Sequence, residues 1–186
     1  VTYTKLPLAP VTADDLRGVC QHQSVSEWTS DQRSGIKGTL HRLSREVRRN
    51  QDELLLLVLR FGRHVFGCCR ELLPGIKSFK SMLLVGPPGV GKTTVLREYT
   101  RLLSEHYRRR VVVVDTSMEI GGVDAVPHRC LGDETVRLEV PSREQQYQVM
   151  VRAVQNLNPQ VIVIDEIGTE KEVEAAISIA ARGIQL

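Results

Sequence analysis

The rhythm of apolar and polar residues changes twice along the chain. Up to residue 34 the polar clusters TADD and HQSVSEWTSDQRSG interrupt any periodicity, and only Thr12–Cys20 is predicted to form a short helix. Residues 1–34 therefore read as a weakly structured leader. Residues 35–73 read as a helical N-terminal extension. From Thr39 to about Leu73 helix formers dominate, with Arg42, Arg45, Arg48 and Arg49 preceding the apolar run Leu54–Leu59. Beyond Pro74-Gly75 short apolar runs alternate with amphipathic stretches, as in βαβ units that build a parallel sheet. Residues 74–186 are thus expected to be an α/β core with a mainly parallel sheet flanked by helices.

Within that core Ser81–Val85 is predicted to be a buried strand, followed by a glycine-rich loop and a helix from Thr93 to about His106 with Leu96, Tyr99 and Leu103 on one face. The β-branched run Val111–Val114 is too short for a helix and apolar on both sides, which predicts a central strand. Ser142–Gln145 has the form of a capping box, and Tyr147, Met150, Val151, Val154 and Leu157 follow at helical spacing until Asn158-Pro159. Residues 161–164 (VIVI) form the next strand. A last helix over about Glu170–Ala181 is expected to turn Val173, Ala176, Ile177 and Ala180 inward and to end at a left-handed Gly183. The first residue, Val1, and the closing GIQL, a strand that stops early, suggest a piece cut at both ends.

Composition narrows the picture only moderately. With 186 residues and 41% hydrophobic content the chain can bury one good-sized core. A formal charge of +3 singles out neither nucleic acid nor membrane. The apolar run Leu54–Leu59 is far short of the roughly 20 residues that span a bilayer, so a soluble protein is expected. The four cysteines, Cys20, Cys68, Cys69 and Cys130, lack the spacing of a secreted disulfide framework and point to a reducing compartment.

The chemistry lies in two segments. Gly86-Pro87-Pro88-Gly89-Val90-Gly91-Lys92-Thr93 has the GxxxxGK[ST] form between a predicted strand and helix, the context this phosphate-binding loop requires. Its glycines permit a backbone path that converges N–H groups on phosphate oxygens. Lys92 is expected to reach the β- and γ-phosphates, Thr93 to place a hydroxyl on Mg²⁺, and Thr94 to bond an inner phosphate. In VIVIDE, Asp165 leaves a buried strand at its carboxyl end, where it can hold Mg²⁺, and Glu166 beside it can orient an attacking water. Together they suggest binding and hydrolysis of ATP·Mg²⁺.

Asp115 and Glu119, at the end of VVVVDTSMEI, either extend this shell or, for Asp115, cap the next segment of chain. The sequence GGVDAVPH is expected to be a mobile loop, with His128 a surface residue. Cys130 could join His128 in a zinc pair, but Cys68 and Cys69 stand at no standard spacing, so no zinc site is expected. Three rivals remain. A GTPase lacks an NKxD segment; a small-molecule kinase needs a lid arginine and an acceptor pocket, for which only 119–141 is available. A nucleotide-regulated scaffold or nucleic-acid-binding protein without turnover would use a basic Arg42–Arg49 helix face, which otherwise is solvated surface or a subunit contact.

The segments RFGRHVFG, LLVGPPGVGKTTVLRE, RRVVVVDTSMEI, VPH, VMVRAVQNLNPQVIVIDEIGTEKEVEAA and IAARGIQL resemble the stage III sporulation protein AA ATPases of endospore formers and their cyanobacterial and plastid relatives. That family is similar in turn to RecA-like secretion and pilus motor ATPases. The resemblance implies an AAA-type, RecA-like fold, a homo-oligomeric, hexameric ring that couples hydrolysis to mechanical work, and a cytoplasmic or stromal setting. It also implies that Glu119 in DTSMEI is a catalytic or structural acid and that NPQVIVIDEIGTE is the magnesium-binding strand. The chain departs from the family in a loop, GGVDAVPHRC, poorer in glycine and aspartate, and in lacking the histidine-containing segment after GIQL. Both put turnover in question while leaving nucleotide binding untouched.

Overall fold

A computed structural model describes residues 9–48, 53–72, 74, 78, 81–108 and 110–186. The predicted short helix is present as α1 (Ala13–Cys20), where Thr12 and Asp15 close a capping box. Among the described residues of the stretch expected to be helical, β2 (Arg42–Val47) and β3 (Leu54–Arg60) are strands instead, and they join β1 (Arg33–Gly35), which begins inside the expected leader, in an antiparallel sheet of order β1-β2-β3. Leucine, arginine and glutamate favour helices only weakly, and a short apolar run fits strand or helix equally, so cross-strand pairing decides. The pattern did hold a hairpin signal: Ile36–His41 joins β1 to β2 and contains Gly38 at φ +73°. β3 is the sheet's outer strand and leaves Leu55, Leu56, Val58 and Leu59 exposed.

The second sheet is parallel, in the order β5-β4-β6, from β4 (Val111–Thr116), β5 (Val136–Val140) and β6 (Val161–Ile164). β4 is the central strand, as its unbroken run of valines predicts, and all six of its residues are buried. Its side chains alternate between two cores. Val111 and Val113, with Val161 and Val163, pack against Tyr99 and Leu103 of α2 (Lys92–Tyr107). Val112, Val114 and Ile162 pack against Val149, Met150 and Ala153 of α3 (Gln146–Leu157) and Ala175 and Ile179 of α4 (Glu170–Ala181). Each fully buried valine contributes about 1.5–3 kcal/mol, which makes this layer of helix, sheet and helices the main source of stability.

Several local expectations shift. β5 was not foreseen, although Val136, Leu138 and Val140 alternate with polar residues at the strand period. Residues 81–85 are not a strand: Met82 N donates to Leu186 O at 2.7 Å and Leu186 N to the Ser81 hydroxyl at 3.1 Å, which makes no ladder, while Leu83 and Val85 stay 78% and 85% exposed. The neighbouring edge at Gln185 is itself a single bridge to Val161, too little on which to build a ladder. Ser142 makes no cap, because Arg143–Gln145 winds as a 3₁₀ turn before α3 begins. On α4 the buried set is Glu172, Ala175 and Ile179, one position off the expected face, with Val173 and Ile177 exposed. The Thr169–Glu172 capping box sets that phase, since Glu172 folds back to the Thr169 and Gly168 amides. Gly183 closes the helix at φ +76°, as predicted.

Candidate functional site: the phosphate-loop cavity

Parallel strands deliver their carboxyl ends to one edge, so Thr116–Glu119 after β4, Asp165-Glu166 after β6 and the start of α2 meet there. The loop before α2 turns through Gly89 and Gly91 at φ +79° and +96°, a region costly for residues with a Cβ. No side chain caps α2, leaving its first amides and the positive end of its dipole facing the loop. Lys92 Nζ donates to the carbonyls of Gly86 and Pro87, each at 2.8 Å, so the ammonium folds back over the loop. Pro88 and Val90 are exposed at the loop's tip.

Two cavities join at Lys92, Thr93 and Glu119. One, of about 290 Å³, also reaches Asp165 and Glu166. The other, of about 410 Å³, also reaches Gly89, Gly91 and Thr94, together with Arg42, Arg60, Arg63 and Arg97. The structure therefore brings together Lys92, Thr93, Glu119, Asp165 and Glu166, the residues that sequence pattern and resemblance had singled out. Glu166 lines the smaller cavity, but its carboxylate is ion-paired to Arg143.

The acids differ sharply. Burial pushes the Asp165 carboxyl up to about 8, and the nearby charge of Glu119 and their shared hydrogen bond reinforce the shift. Burial also acts to raise Glu119, yet the Arg42 charge and the hydrogen bonds from Asp165 and Arg42 outweigh it and hold Glu119 below the usual range. Asp165 is thus the carboxyl of the pair that holds a proton more readily, and a divalent cation beside it would favour its charged form. Oxygen donors, Thr93 hydroxyl and Asp165, suit a hard ion such as Mg²⁺. Among the described residues no group of three or more His, Cys, Asp or Glu forms a metal cage, so such an ion would need phosphate oxygens to complete its shell.

Asp115 takes the capping role. Wholly buried, it accepts from Ile120 N at 3.0 Å and Gly121 N at 2.9 Å, and burial raises its pKa. Arg97, 5% exposed, donates to Ile120 O at 3.1 Å, to Arg63 O at 2.8 Å and to Glu119 O, fixing the acidic loop to α2. The GGVDAVPH segment, expected to be mobile, is tied at several points. Gly38 N donates to Asp124 Oδ2 at 2.6 Å, Arg137 Nη2 donates to Asp124 O at 2.8 Å, and Gly122 packs against Thr39 O. His128 is half-buried and caps the Arg129–Leu131 turn through Cys130 N at 3.2 Å. Cys69 and Cys130 are buried, and burial lifts both thiols to about 11, as in inert packing groups.

The basic residues expected on a helix face scatter instead. Arg42 turns inward to Glu119, Arg45 lies 4.2 Å over the Trp28 ring, and Arg48 pairs with Glu53 at 3.0 Å. Arg49 lies outside the described residues. Sequence reasoning missed Arg60, Arg63 and Arg97 as cavity residues, and Arg143 as the partner of Glu166. RFGR, Arg60–Arg63, was visible next to the apolar run, but only folding carries it to the loop.

A family model described as Sporulation stage III, protein AA, matches residues 23–186. The chain is 45% identical to Protein SEEDLING PLASTID DEVELOPMENT 1 of Arabidopsis thaliana over 95% of the chain and 25% of that protein. It is 45% identical to the Uncharacterized protein ycf45 of Porphyra purpurea over 88% of the chain and 29% of that protein. To Stage III sporulation protein AA of Bacillus subtilis it is 29% identical over 69% of the chain and 43% of that protein. The chain thus spans between a quarter and less than half of the length of these curated relatives.

Proposed function

We propose, from the premise that the chain belongs to the Sporulation stage III, protein AA family, that it is a Mg²⁺-dependent ATP-binding and ATP-hydrolysing unit of the RecA-like, AAA type. The observation that carries this reading is the meeting of Lys92, Thr93, Glu119, Asp165 and Glu166 around one cavity at the uncapped start of α2. Lys92 and the backbone N–H groups of Gly89–Thr94 hold the phosphates, and the Thr93 hydroxyl and Asp165 hold the cation. ATP·Mg²⁺ supplies the electrophilic γ-phosphorus when bound. Glu119 positions Asp165 through their hydrogen bond, and Glu166 orients water once its carboxylate leaves Arg143.

By the same resemblance the protein works as a homo-oligomeric ring, a hexameric motor or remodelling ATPase. Among the described residues no helix is long and apolar enough to cross a membrane, and the plastid named by the Arabidopsis relative makes stroma or cytoplasm the compartment to test. The experiment is nucleotide binding and phosphate release by Lys92→Ala and Glu166→Gln. Lys92→Ala is expected to weaken ATP binding about a hundredfold, and Glu166→Gln to keep binding while slowing turnover by about 10²–10³. Wild-type turnover in Glu166→Gln would overturn the hydrolytic assignment. A second reading, a nucleotide-regulated scaffold without turnover, is favoured by the Arg143–Glu166 pair, and it requires tight ATP binding with no phosphate release in the wild type. The basic helix face on which the nucleic-acid reading stood is absent: Arg42 is paired with Glu119, Arg45 lies over Trp28 and Arg48 is paired with Glu53.

A further inference from the structure

Gln146, the first residue of α3, is 1% exposed, and burying an amide is costly unless both of its ends are bonded. Both are. Its Nε2 donates to the Glu166 carbonyl at 2.7 Å, and its Oε1 accepts from the Thr116 hydroxyl at 2.5 Å. A carbonyl can only accept, so the amide nitrogen faces Glu166 and the Thr116 hydroxyl turns to donate to the amide oxygen. The side chain therefore ties the last residue of β4 to the acidic segment that leaves β6. Between the ladder that ends at Ile164 and the capping box that starts at Gly168, this bond holds the main chain at Glu166.

The same turn also grips the other end of Glu166. Arg143 stands three residues before Gln146, in the 3₁₀ turn, and its guanidinium pairs with the Glu166 carboxylate. The two grips differ in strength. The ion pair is about half exposed at each partner, and exposed pairs contribute little. The amide is buried, and breaking its bonds strands a carbonyl or a hydroxyl that water does not reach. When the carboxylate leaves Arg143, side-chain rotation alone moves it. The backbone of Glu166 stays at the cavity that Lys92, Thr93 and Asp165 also line.

We propose that Gln146 is a positioning residue for ATP hydrolysis: it fixes the Glu166 main chain to the tip of β4, so that the carboxylate freed from Arg143 reaches the water that attacks the γ-phosphate. This rests on the reading of Glu166 as the residue that orients water, and it adds the group that sets where Glu166 stands. Gln146 lines neither of the two cavities, so it acts through Glu166 and not on the nucleotide. Glutamate in its place would set a second acceptor against the Glu166 carbonyl, and asparagine is one methylene short.

The test measures Mg·ATP affinity, kcat for phosphate release and thermal melting for wild type, Gln146→Glu, Thr116→Val and the double variant. Gln146→Glu keeps the length of the side chain and the acceptor for Thr116 while removing the donor to Glu166. It is expected to lower kcat about ten- to a hundredfold, with affinity within about twofold of wild type. Thr116→Val is expected to lower kcat about threefold, since the amide loses the bond that orients it. The double variant should be no slower than Gln146→Glu alone, because both changes act through one amide. Unchanged kcat in both single variants, or affinity and kcat falling together, overturns the proposal. If melting shows that Gln146→Glu does not fold, Thr116→Val, a change of like shape, decides by the same split. Wild-type chain that binds no Mg·ATP, or binds it without releasing phosphate, removes the hydrolytic reading and the proposal with it. Wild-type turnover that Gln146→Glu leaves undisturbed removes only the role of Gln146.

Discussion

At the scale of single residues, buried polar groups explain more of the site than the loop motif does. Arg97 lies inside the molecule with three carbonyl partners from two segments, and no shorter or unforked side chain can serve all three. Arg97→Met is expected to cost about 3 kcal/mol in urea unfolding, because the carbonyls lose their donor without gaining water. Arg97→Lys is expected to recover less than half of that. The Arg143–Glu166 pair differs, being about half exposed at each partner. Exposed pairs contribute little, so Arg143→Ala should change stability by less than about 1 kcal/mol.

At the scale of elements, Glu98 decides how the segment after β3 is held against α2. Its bidentate pair with Arg101, aided by the Gly67 amide and His64, holds the carboxyl down to about 2 from an ordinary 4.5. A depressed folded-state value means the contribution is complete above about pH 4.5 and is lost as pH falls toward 2. Glu98→Gln is expected to be about 2–3 kcal/mol less stable than wild type at pH 7, with the gap closing by pH 2.5, as read from denaturation curves at both values. A gap that stays constant with pH would remove the ion pair as the cause. The β-strand assignment of the N-terminal region belongs to this scale too. Helix propensity there amounts to a few tenths of a kcal/mol per residue, which the pairing of β2 with β1 and β3 outweighs.

At the scale of the whole molecule, two sheets of different kind share one cavity. Arg33 Nη1 reaches Ser117 Oγ at 2.5 Å, Arg42 reaches Glu119, and Gly38 N reaches Asp124, so the antiparallel sheet clasps the loop that follows β4. Backbone meets backbone at Gly122, where φ is +79° and an added Cβ would stand 2.7 Å from Thr39 O. Gly122→Ala is expected to cost about 2 kcal/mol or more and to weaken ATP binding in parallel, because the arginines of the sheet move away from the phosphate loop. Thermal melts with and without Mg·ATP check this: the nucleotide-induced rise in melting temperature should shrink in the variant. An undiminished rise would show that the sheet's docking does not serve the site.

The sequence by itself determined what local chemistry specifies: the GxxxxGK[ST] loop with its neighbouring helix, the central valine strand, the acidic pair after VIVI, and the left-handed Gly183 that ends α4. These are legible because spacing, turn glycines and caps act over a few residues, where the chain has no alternative partner. Only the tertiary structure decided that Arg42–Val47 and Leu54–Arg60 pair as sheet, that GGVDAVPH is pinned, that Arg42 meets Glu119, and that Arg60 and Arg63 line the cavity. Those outcomes depend on which distant surfaces bury one another. Pairing energies accumulate across the whole contact and override the small preferences that any short window of sequence expresses.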